Sequence, residues 1–378
     1  MGRGHGWRRG RKVARRVEGD PSDPLGMAAA ITAFLEWMGA RNYSPVTSEN
    51  REVSLRRFTA WCELRAIGRP SEVTRPVLER YQRHLFHRRK SDGRPLSFRS
   101  QRNELVSLRA FFKWLVRQNL VLSNPASDLD LPRVELRLPP VLTEAEAERV
   151  MRAPNLETPT GLRDRALLET LYSTGMRRME LSGLKTYDLD AERGTVLIRQ
   201  GKGKKDRWIP IGDRAVFWID RYLIEARSVL LFDPTEDTVF LTDSGLPFEL
   251  GTLTHLVGEY VRSAGAGKPG ACHLFRHTMA TQMLENGADI RFIQMMLGHS
   301  SLATTQIYTQ VSIRKLKEVH TATHPARLER EAGSRTSAPG VAASGVPAEP
   351  PCTAQDFLAA LVEEAAEEDD GDEERSPE

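Results

Sequence analysis

Apolar residues recur at helical spacing over the first third of the chain. Ile31, Phe34, Leu35 and Met38 fall at positions i, i+3, i+4 and i+7, which places them on one face of a helix. The later stretches with the same pattern contain Leu55, Phe58, Trp61 and Cys62, then Leu78, Tyr81 and Leu85, and then Leu105, Leu108, Phe112 and Leu115. Four amphipathic helices in this space predict a small helical domain over residues 27–131.

A proline-rich stretch, PRVELRLPPVL, follows this domain and predicts a linker over residues 132–142. A helix start comes next, because Thr143 and Glu146 have the spacing of a capping box. Residues 143–325 are predicted to form a second domain that is mostly helical. Its β signal is GTVLIRQ and DRWIPI, joined by GKGKK as a hairpin, with TVFLT at 238–242 as a candidate third strand. The predicted fold class is therefore mainly α, with a four-helix N-terminal domain and a mixed C-terminal domain that holds a small sheet.

Both ends of the chain have the composition of disordered segments. Residues 1–26 are rich in Gly, Arg and Pro, and residues 326–378 turn to Ser, Ala, Gly and Pro before an acidic run. Within the second tail, DFLAALVEEAAEE has the pattern of a short amphipathic helix. We predict that residues 1–26 form a disordered basic tail and that residues 326–378 form a disordered tail ending in acid.

The charge of the chain is divided unevenly. From residue 356 to the end there are 11 acidic residues and one Arg, a net charge of −10. Because the whole chain carries +3, residues 1–355 carry +13. A body this basic suits a polyanion such as nucleic acid, although a solvated basic surface is the simpler interpretation. If the acidic tail competes with DNA, removal of residues 327–378 is expected to raise non-specific DNA affinity and to leave cleavage intact.

Composition also excludes several classes of protein. No apolar run approaches the roughly 20 residues that cross a bilayer, and the basic N-terminus lacks the apolar core of a secretory signal. The cysteines, Cys62, Cys272 and Cys352, are odd in number and widely spaced, which argues against a disulfide framework or a cysteine zinc site. We expect a cytoplasmic protein that does not bind a membrane.

The second domain contains four places with residues suited to phosphate chemistry. They are Arg177 and Glu180 in YSTGMRRMELSGL, Lys202 in GKGKK, His273 and Arg276 in HLFRH, and His299 and Tyr308 in LGHSSLATTQIYT. Taken singly, each has a structural interpretation, such as a surface ion pair, a turn lysine or a core tyrosine. His273 and His277 have the spacing of a zinc pair, but Leu274 replaces the glutamate of H-E-x-x-H and no third ligand is near in sequence. The joint occurrence of these four motifs in this order points to one site.

This ordered set resembles the active site of the tyrosine recombinase (phage integrase) family, most closely its simple Xer-like members, over residues 27–325. The resemblance implies a site-specific recombinase that cleaves and rejoins duplex DNA through a 3′-phosphotyrosyl intermediate, without metal, cofactor or ATP. The catalytic residues that it implies are Arg177, Lys202, His273, Arg276, His299 and Tyr308, with Glu180 in support. Lys204 and Lys205 lie in the same turn and remain alternatives to Lys202.

The resemblance also implies an assembly on DNA. The partners are duplex DNA with a specific core site and a homotetramer, or a heterotetramer with a related recombinase. The segment SIRKLKEVHTATHPA is expected to dock on the neighbouring protomer, with packing on its own domain as the alternative.

Two other functions remain open at the level of sequence. One is a type IB topoisomerase or telomere resolvase with the same chemistry, and the other is a DNA-binding regulator without catalysis. Integration, excision, transposition and chromosome-dimer resolution are all compatible with the same active-site residues.

Overall fold

The protein folds into two compact units. The computed structural model describes residues 22–90, 92–134, 139–199, 206–298 and 310–326, together with Phe357, Ala360 and Leu361. The units divide between residues 135 and 136, inside the stretch predicted as a linker. Each unit has a hydrophobic core of its own.

The N-terminal unit is helical, as its apolar pattern predicts. Its helices are α1 (Met27–Ala40), α2 (Pro45–Glu63), α3 (Arg75–His87) and α4 (Phe98–Arg117). Serine side chains cap the starts of two of them. The Thr47 N–H donates to the Ser44 hydroxyl at 3.1 Å, and the Ser100 N–H donates to the Ser97 hydroxyl at 3.0 Å. The predicted apolar faces meet in an aromatic core, where Phe58 and Tyr81 lie edge to face at 4.9 Å.

The C-terminal unit is built around a central helix, α6. Its helices, within the described part of the chain, are α5 (Glu144–Met151), α6 (Pro159–Thr174), α7 (Arg178–Ser182), α8 (Asp213–Glu225), α9 (Arg227–Leu230), α10 (Leu250–Ser263), α11 (Cys272–Glu285), α12 (Ile290–Leu297) and α13 (Gln310–Thr323). Helix α6 is buried on every side from Gly161 to Thr174, as expected of a helix inside a core. The predicted capping box at α5 is present, with the Thr143 N–H donating to Glu146 at 2.7 Å.

A small antiparallel sheet lies in the same unit. Its strands, among the described residues, are β1 (Leu189–Asp190), β2 (Thr195–Ile198) and β3 (Arg207–Pro210), in that spatial order. Val196 pairs with Ile209, and Ile198 pairs with Arg207. The fold class predicted from the sequence, mainly helical with a hairpin in a small sheet, is confirmed.

The prediction of a strand at TVFLT is wrong. Thr238 and Leu241 form isolated bridges with Lys185 and Pro247, and the third strand of the sheet is β1 instead. Val239 and Phe240 are buried in the main core of the unit. These residues are apolar because they pack in the core, and not because they belong to a strand. An alternating pattern over so few residues does not distinguish these two cases.

Helix α13 packs on its own unit. Its described side chains Leu316, Val319 and His320 are buried against neighbouring elements of the same chain. The contacts of these side chains agree with the alternative of packing in place, and docking of the helix on a neighbouring protomer stays a prediction.

A second apolar cluster of the C-terminal unit includes residues from far along the chain. Phe357 and Leu361 are 1% and 0% exposed, and both belong to a cluster with α11, α12 and α13. Members of the cluster from these helices include Met279, Met283, Ile293, Met296, Leu297, Leu316 and Val319. The predicted disordered tail thus contains residues that the structure buries.

No helix in the described ranges has the length and apolarity needed to cross a membrane.

Candidate active site

A buried carboxylate, Glu180, marks the start of helix α7. Helix α6 ends at Thr174, Gly175 takes the left-handed conformation, and Arg177 is the N-cap of α7. The Arg177 N–H donates to Glu180 Oε2 at 2.9 Å. The carboxylate therefore caps its own helix from the third position, which fixes both the helix start and the side chain.

Guanidinium groups surround this carboxylate. Arg177 Nη1 donates to Glu180 Oε1 at 2.9 Å. Arg207, from β3, donates through Nη1 and Nη2 to the two carboxylate oxygens, each at 2.9 Å, which is a bidentate fork.

The charges of these groups decide the protonation state of Glu180. Burial by itself would raise the pKa of Glu180, but the nearby guanidiniums, first that of Arg207, outweigh it and the pKa lies below its ordinary value. Arg177 and Arg276 also contribute to this lowering. Glu180 is thus an anion that holds a cluster of cations in place.

Arg276 is the most deeply buried cation of this group, at 1% exposure. It lies on α11, and its Nη1 donates to the carbonyl oxygen of Gly175 at 2.7 Å. Its Nη2 donates to the carbonyl oxygen of Leu297 at 2.8 Å. One guanidinium therefore ties together the α6–α7 junction, α11 and the end of α12.

Two glycines permit this close approach. Gly175 has φ of 59°, and a Cβ there would lie 2.3 Å from Cε of Met279. Gly298 has φ of 69°, and a Cβ there would lie 2.9 Å from Cζ of Arg207. Both positions need a left-handed backbone and the absence of a side chain, so other residues would displace the arginine scaffold.

His273 lies on the first turn of α11, three residues before Arg276, and is half-buried. Its ring centroid is 6.4 Å from that of His277. In the ranges that the structure describes, no group of three or more His, Cys, Asp or Glu residues is arranged to hold a metal ion.

The structure brings together part of the predicted set. Arg177, Arg276 and Glu180 meet, and His273 shares a helix with Arg276. Lys202, His299 and Tyr308 lie outside the described residues. In sequence, Lys202 falls between β2 and β3, and Tyr308 falls between α12 and α13.

Arg207 is a member of the cluster that sequence reasoning missed. A signal was available in the spacing of Arg207 from Ile209 in β3 and Ile211 just after it, both buried in the core. Since residues two apart on a strand share a face, Arg207 points to the same side as these isoleucines. An arginine in register with core residues predicts a buried anionic partner.

Comparison with known proteins finds a family model that matches each of the two units. The family model described as phage integrase family matches residues 140–314, and that described as phage integrase, N-terminal SAM-like domain matches residues 31–121. Tyrosine recombinase XerC 2 of Ralstonia nicotianae is 51% identical over 313 residues, which cover 82% of this chain and 90% of the relative. The chain belongs to the phage integrase family of tyrosine recombinases. Tyrosine recombinase XerD of Pseudomonas aeruginosa is 36% identical to this recombinase over 297 residues, covering 78% of this chain and 97% of the relative.

Solved structures share the fold of this recombinase. XerH site-specific recombinase bound to palindromic difH substrate has a TM-score of 0.57 at 23% identity, covering 77% of this chain and 83% of that one. A lambda integrase (75–356) dimer bound to a COC′ core site has a TM-score of 0.56 at 17% identity, covering 73% and 96%. The predicted family, fold class and enzyme class, a tyrosine-type site-specific recombinase, are confirmed.

Proposed function

We propose that this recombinase cleaves and rejoins duplex DNA at a specific core site with Tyr308 as its nucleophile. The observation that carries the proposal is the burial of Arg177 and Arg276 around one carboxylate. Their hydrogen bonds to Glu180, Gly175 and Leu297 orient both guanidiniums before DNA arrives. Preorganised cations stabilise the charge that grows on a phosphate as it passes through a pentavalent transition state.

The proposed reaction conserves the phosphodiester energy. The Tyr308 oxygen forms a bond to phosphorus, the bond from phosphorus to the 5′ oxygen breaks, and a 3′-phosphotyrosine results. A free tyrosine has a pKa of about 10, so its proton must leave during attack, and His273 is the proposed acceptor. His299 supplies a further hydrogen bond to the phosphate. Attack by a 5′-hydroxyl reverses these steps and reseals the strand.

The leaving 5′ oxygen needs a proton, and Lys202 is its proposed donor. Neighbouring cations disfavour the charged form of a lysine and make it a better acid. Lys204 and Lys205 stay as alternatives in the same turn. Because arginines neutralise the phosphate and the tyrosyl ester stores the bond energy, we propose that neither metal nor ATP takes part.

The proposed partner is duplex DNA in the cytoplasm. The charge of +13 on residues 1–355 supports binding to a polyanion. Recombination of two duplexes breaks one strand per protomer and involves four strands in all, so we propose a tetramer. Its protomers are copies of this chain or include a related recombinase.

The test is a covalent-adduct assay. Wild type, Tyr308→Phe and Tyr187→Phe are mixed with nicked duplex fragments pooled from the protein's own locus and separated on a denaturing gel. Tyr187 is 61% exposed and serves as the matched control. A protease-sensitive DNA adduct with wild type and Tyr187→Phe, and none with Tyr308→Phe, is expected.

Other results point to the alternatives. DNA binding by the wild type without any adduct would favour the non-catalytic regulator. Adduct formation with relaxation of supercoiled plasmid, but with no exchange between two sites, would favour a topoisomerase.

A further inference from the structure

Two histidines at the end of α13, His320 and His324, reach the buried end of the central helix. The last carbonyls of an α-helix have no partner within the helix, and Tyr172 and Ser173 lie in the last turn of α6. His320 Nε2 lies 2.7 Å from the Ser173 carbonyl oxygen, and His324 Nε2 lies 2.8 Å from that of Tyr172. Both imidazoles are 2% exposed. Helix α13 therefore caps α6 from the side.

The hydrogen bonds assign the protons of His324. The Ala326 N–H donates to His324 Nδ1 at 3.1 Å, so Nδ1 is an acceptor. Nε2 then carries the ring proton and donates to the Tyr172 carbonyl. The rings of His320 and His324 stack at 4.8 Å with 14° between their planes. Burial lowers the pKa of His320 to about 4, which keeps this ring neutral as well.

The two segments joined by this contact lie next to proposed catalytic residues in the sequence. The carbonyl of Gly175, directly after α6, accepts from Arg276, and Arg177 follows two residues later. Helix α13 begins at residue 310, two residues after Tyr308. The histidine contacts thus join the segment that leaves the proposed nucleophile to the segment that enters the arginine cluster.

We propose that His320 and His324 are positioning residues that hold the end of α6, and with it Gly175 and Arg177, in place beside Arg276. The inference rests on the proposed function, and it adds residues that contact neither DNA nor the reacting atoms. A displacement of about 1 Å at a reacting group can cost on the order of 100-fold in rate. Fastening the two segments to each other therefore has a direct kinetic consequence.

The surroundings leave little room for another arrangement. The Gly212 N–H donates to Ser173 Oγ at 2.8 Å, and a Cβ at Gly212 would lie 3.2 Å from Cε1 of His320. The junction between β3 and α8 thus presses on the same turn of α6. An imidazole fits here because it offers a flat, neutral donor, whereas lysine or arginine would bring an uncompensated charge into the core.

The first test needs no DNA. Hydrogen–deuterium exchange is compared by mass spectrometry for wild type, His320→Ala, His324→Ala and the control His255→Ala, whose side chain is 71% exposed on α10. We expect faster exchange in peptides that cover residues 171–184 for His320→Ala and His324→Ala, and wild-type exchange for the control. Unchanged exchange in these peptides would overturn the proposal, whether or not the enzyme cleaves the chosen DNA.

The second test separates positioning from folding. Single-turnover adduct formation on the nicked fragments is measured against DNA concentration for His324→Ala and His324→Gln. Glutamine can place an amide N–H where Nε2 lies. We expect the maximal rate to fall about 10- to 100-fold in His324→Ala at an unchanged half-saturating DNA concentration, with substantial recovery in His324→Gln.

The outcomes of the second test are distinct. A loss that matches the fraction of unfolded protein, with no rescue by glutamine, would mean a purely structural role. A wild type that forms no adduct would count against the proposed function, while the exchange experiment would still decide the histidine contacts.

Discussion

Glu180 shows how one buried carboxylate can hold a cluster of arginines in place. Taking a carboxylate out of water is costly unless cations and hydrogen bonds replace the solvent. Arg207 does this with a bidentate fork, and Arg177 adds a hydrogen bond from each of its backbone and side chain. The same contacts fix the position of Arg177. The hydrogen bonds that stabilise buried Glu180 therefore also orient this guanidinium.

Replacement of Arg207 by Met is expected to impair both stability and catalysis. It removes the fork on Glu180, and breaking a buried ion pair costs about 3 kcal/mol. We expect the free energy of unfolding to fall by about that amount in urea titrations, and adduct formation to slow at least tenfold in the remaining folded protein. Arg221→Met is the control, since Arg221 pairs with Glu225 on the surface of α8. Full activity of Arg207→Met would contradict this account.

His320 predicts a pH dependence of stability. Burial lowers its pKa in the folded protein to about 4, whereas the unfolded chain titrates near 6.5. The unfolded state therefore takes up a proton first, and stability is lost as the pH falls from about 6.5 towards 4, by about 3 kcal/mol in total. Denaturation of wild type and His320→Gln at pH 7 and pH 5 measures this. A smaller loss in His320→Gln is expected, and equal losses would contradict it.

At the scale of elements, the α6–α7 junction leaves little room for a larger residue at Gly175. Gly175→Ala would strain a left-handed backbone and push a methyl group into Met279 and Leu297. We expect a lower melting temperature and a loss of adduct formation of tenfold or more. Gly251→Ala, in α10 with nothing within 4 Å of the added Cβ, is the control and should be neutral or stabilising. Similar effects of both substitutions would argue against a special role of the junction.

Periodicity predicted the elements whose pattern is long, and failed where tertiary contacts decide. The four N-terminal helices and the hairpin carry repeated signals, so they could be predicted. Strand β1 is two residues long and carries none, and TVFLT is apolar because the core needs it. At the site, Arg177, Glu180 and Arg276 stand in recognisable motifs, whereas Arg207 stands in none and is signalled only by its spacing from buried Ile209 and Ile211.

The sequence left the location of α13 open between a neighbouring protomer and its own unit, for a physical reason. Its burial depends on contacts with residues more than a hundred positions away, such as Ser173 and Tyr172. A helix of this composition can satisfy its apolar face on its own unit or on a partner, and the pattern is the same in both cases. Only the fold supplies the surface that distinguishes them.

For the whole molecule, the acidic end of the chain is the feature to test. Between residues 363 and 374 there are nine carboxylates, and the chain before them is anchored by buried Phe357 and Leu361. Replacing these carboxylates by Gln and Asn keeps the apolar anchor. We expect tighter non-specific DNA binding at low salt, converging with wild type at high salt because screening removes long-range attraction, and unchanged adduct formation. Binding assays over a salt series measure this, and equal or weaker binding at low salt would contradict it.

Deletion of residues 327–378 is a different experiment. It removes the carboxylates together with Phe357 and Leu361, and so uncovers part of the apolar cluster on α11, α12 and α13. We expect the deletion to raise DNA affinity as neutralisation does, but also to lower the melting temperature. Equal melting temperatures of the deletion and the neutralised variant would show that the anchor contributes nothing to stability.

The way Arg276 is held has a consequence for partly unfolded molecules. Its carbonyl partners come from the α6–α7 junction and from the end of α12, so local fraying of either segment releases the guanidinium. Local opening costs less free energy than global unfolding and occurs far more often. A frayed molecule therefore loses the arrangement of Arg276 that we propose for phosphate binding, while most of its core is intact. Because cleavage and rejoining would use the same guanidinium, such a molecule is expected to be inactive in both steps.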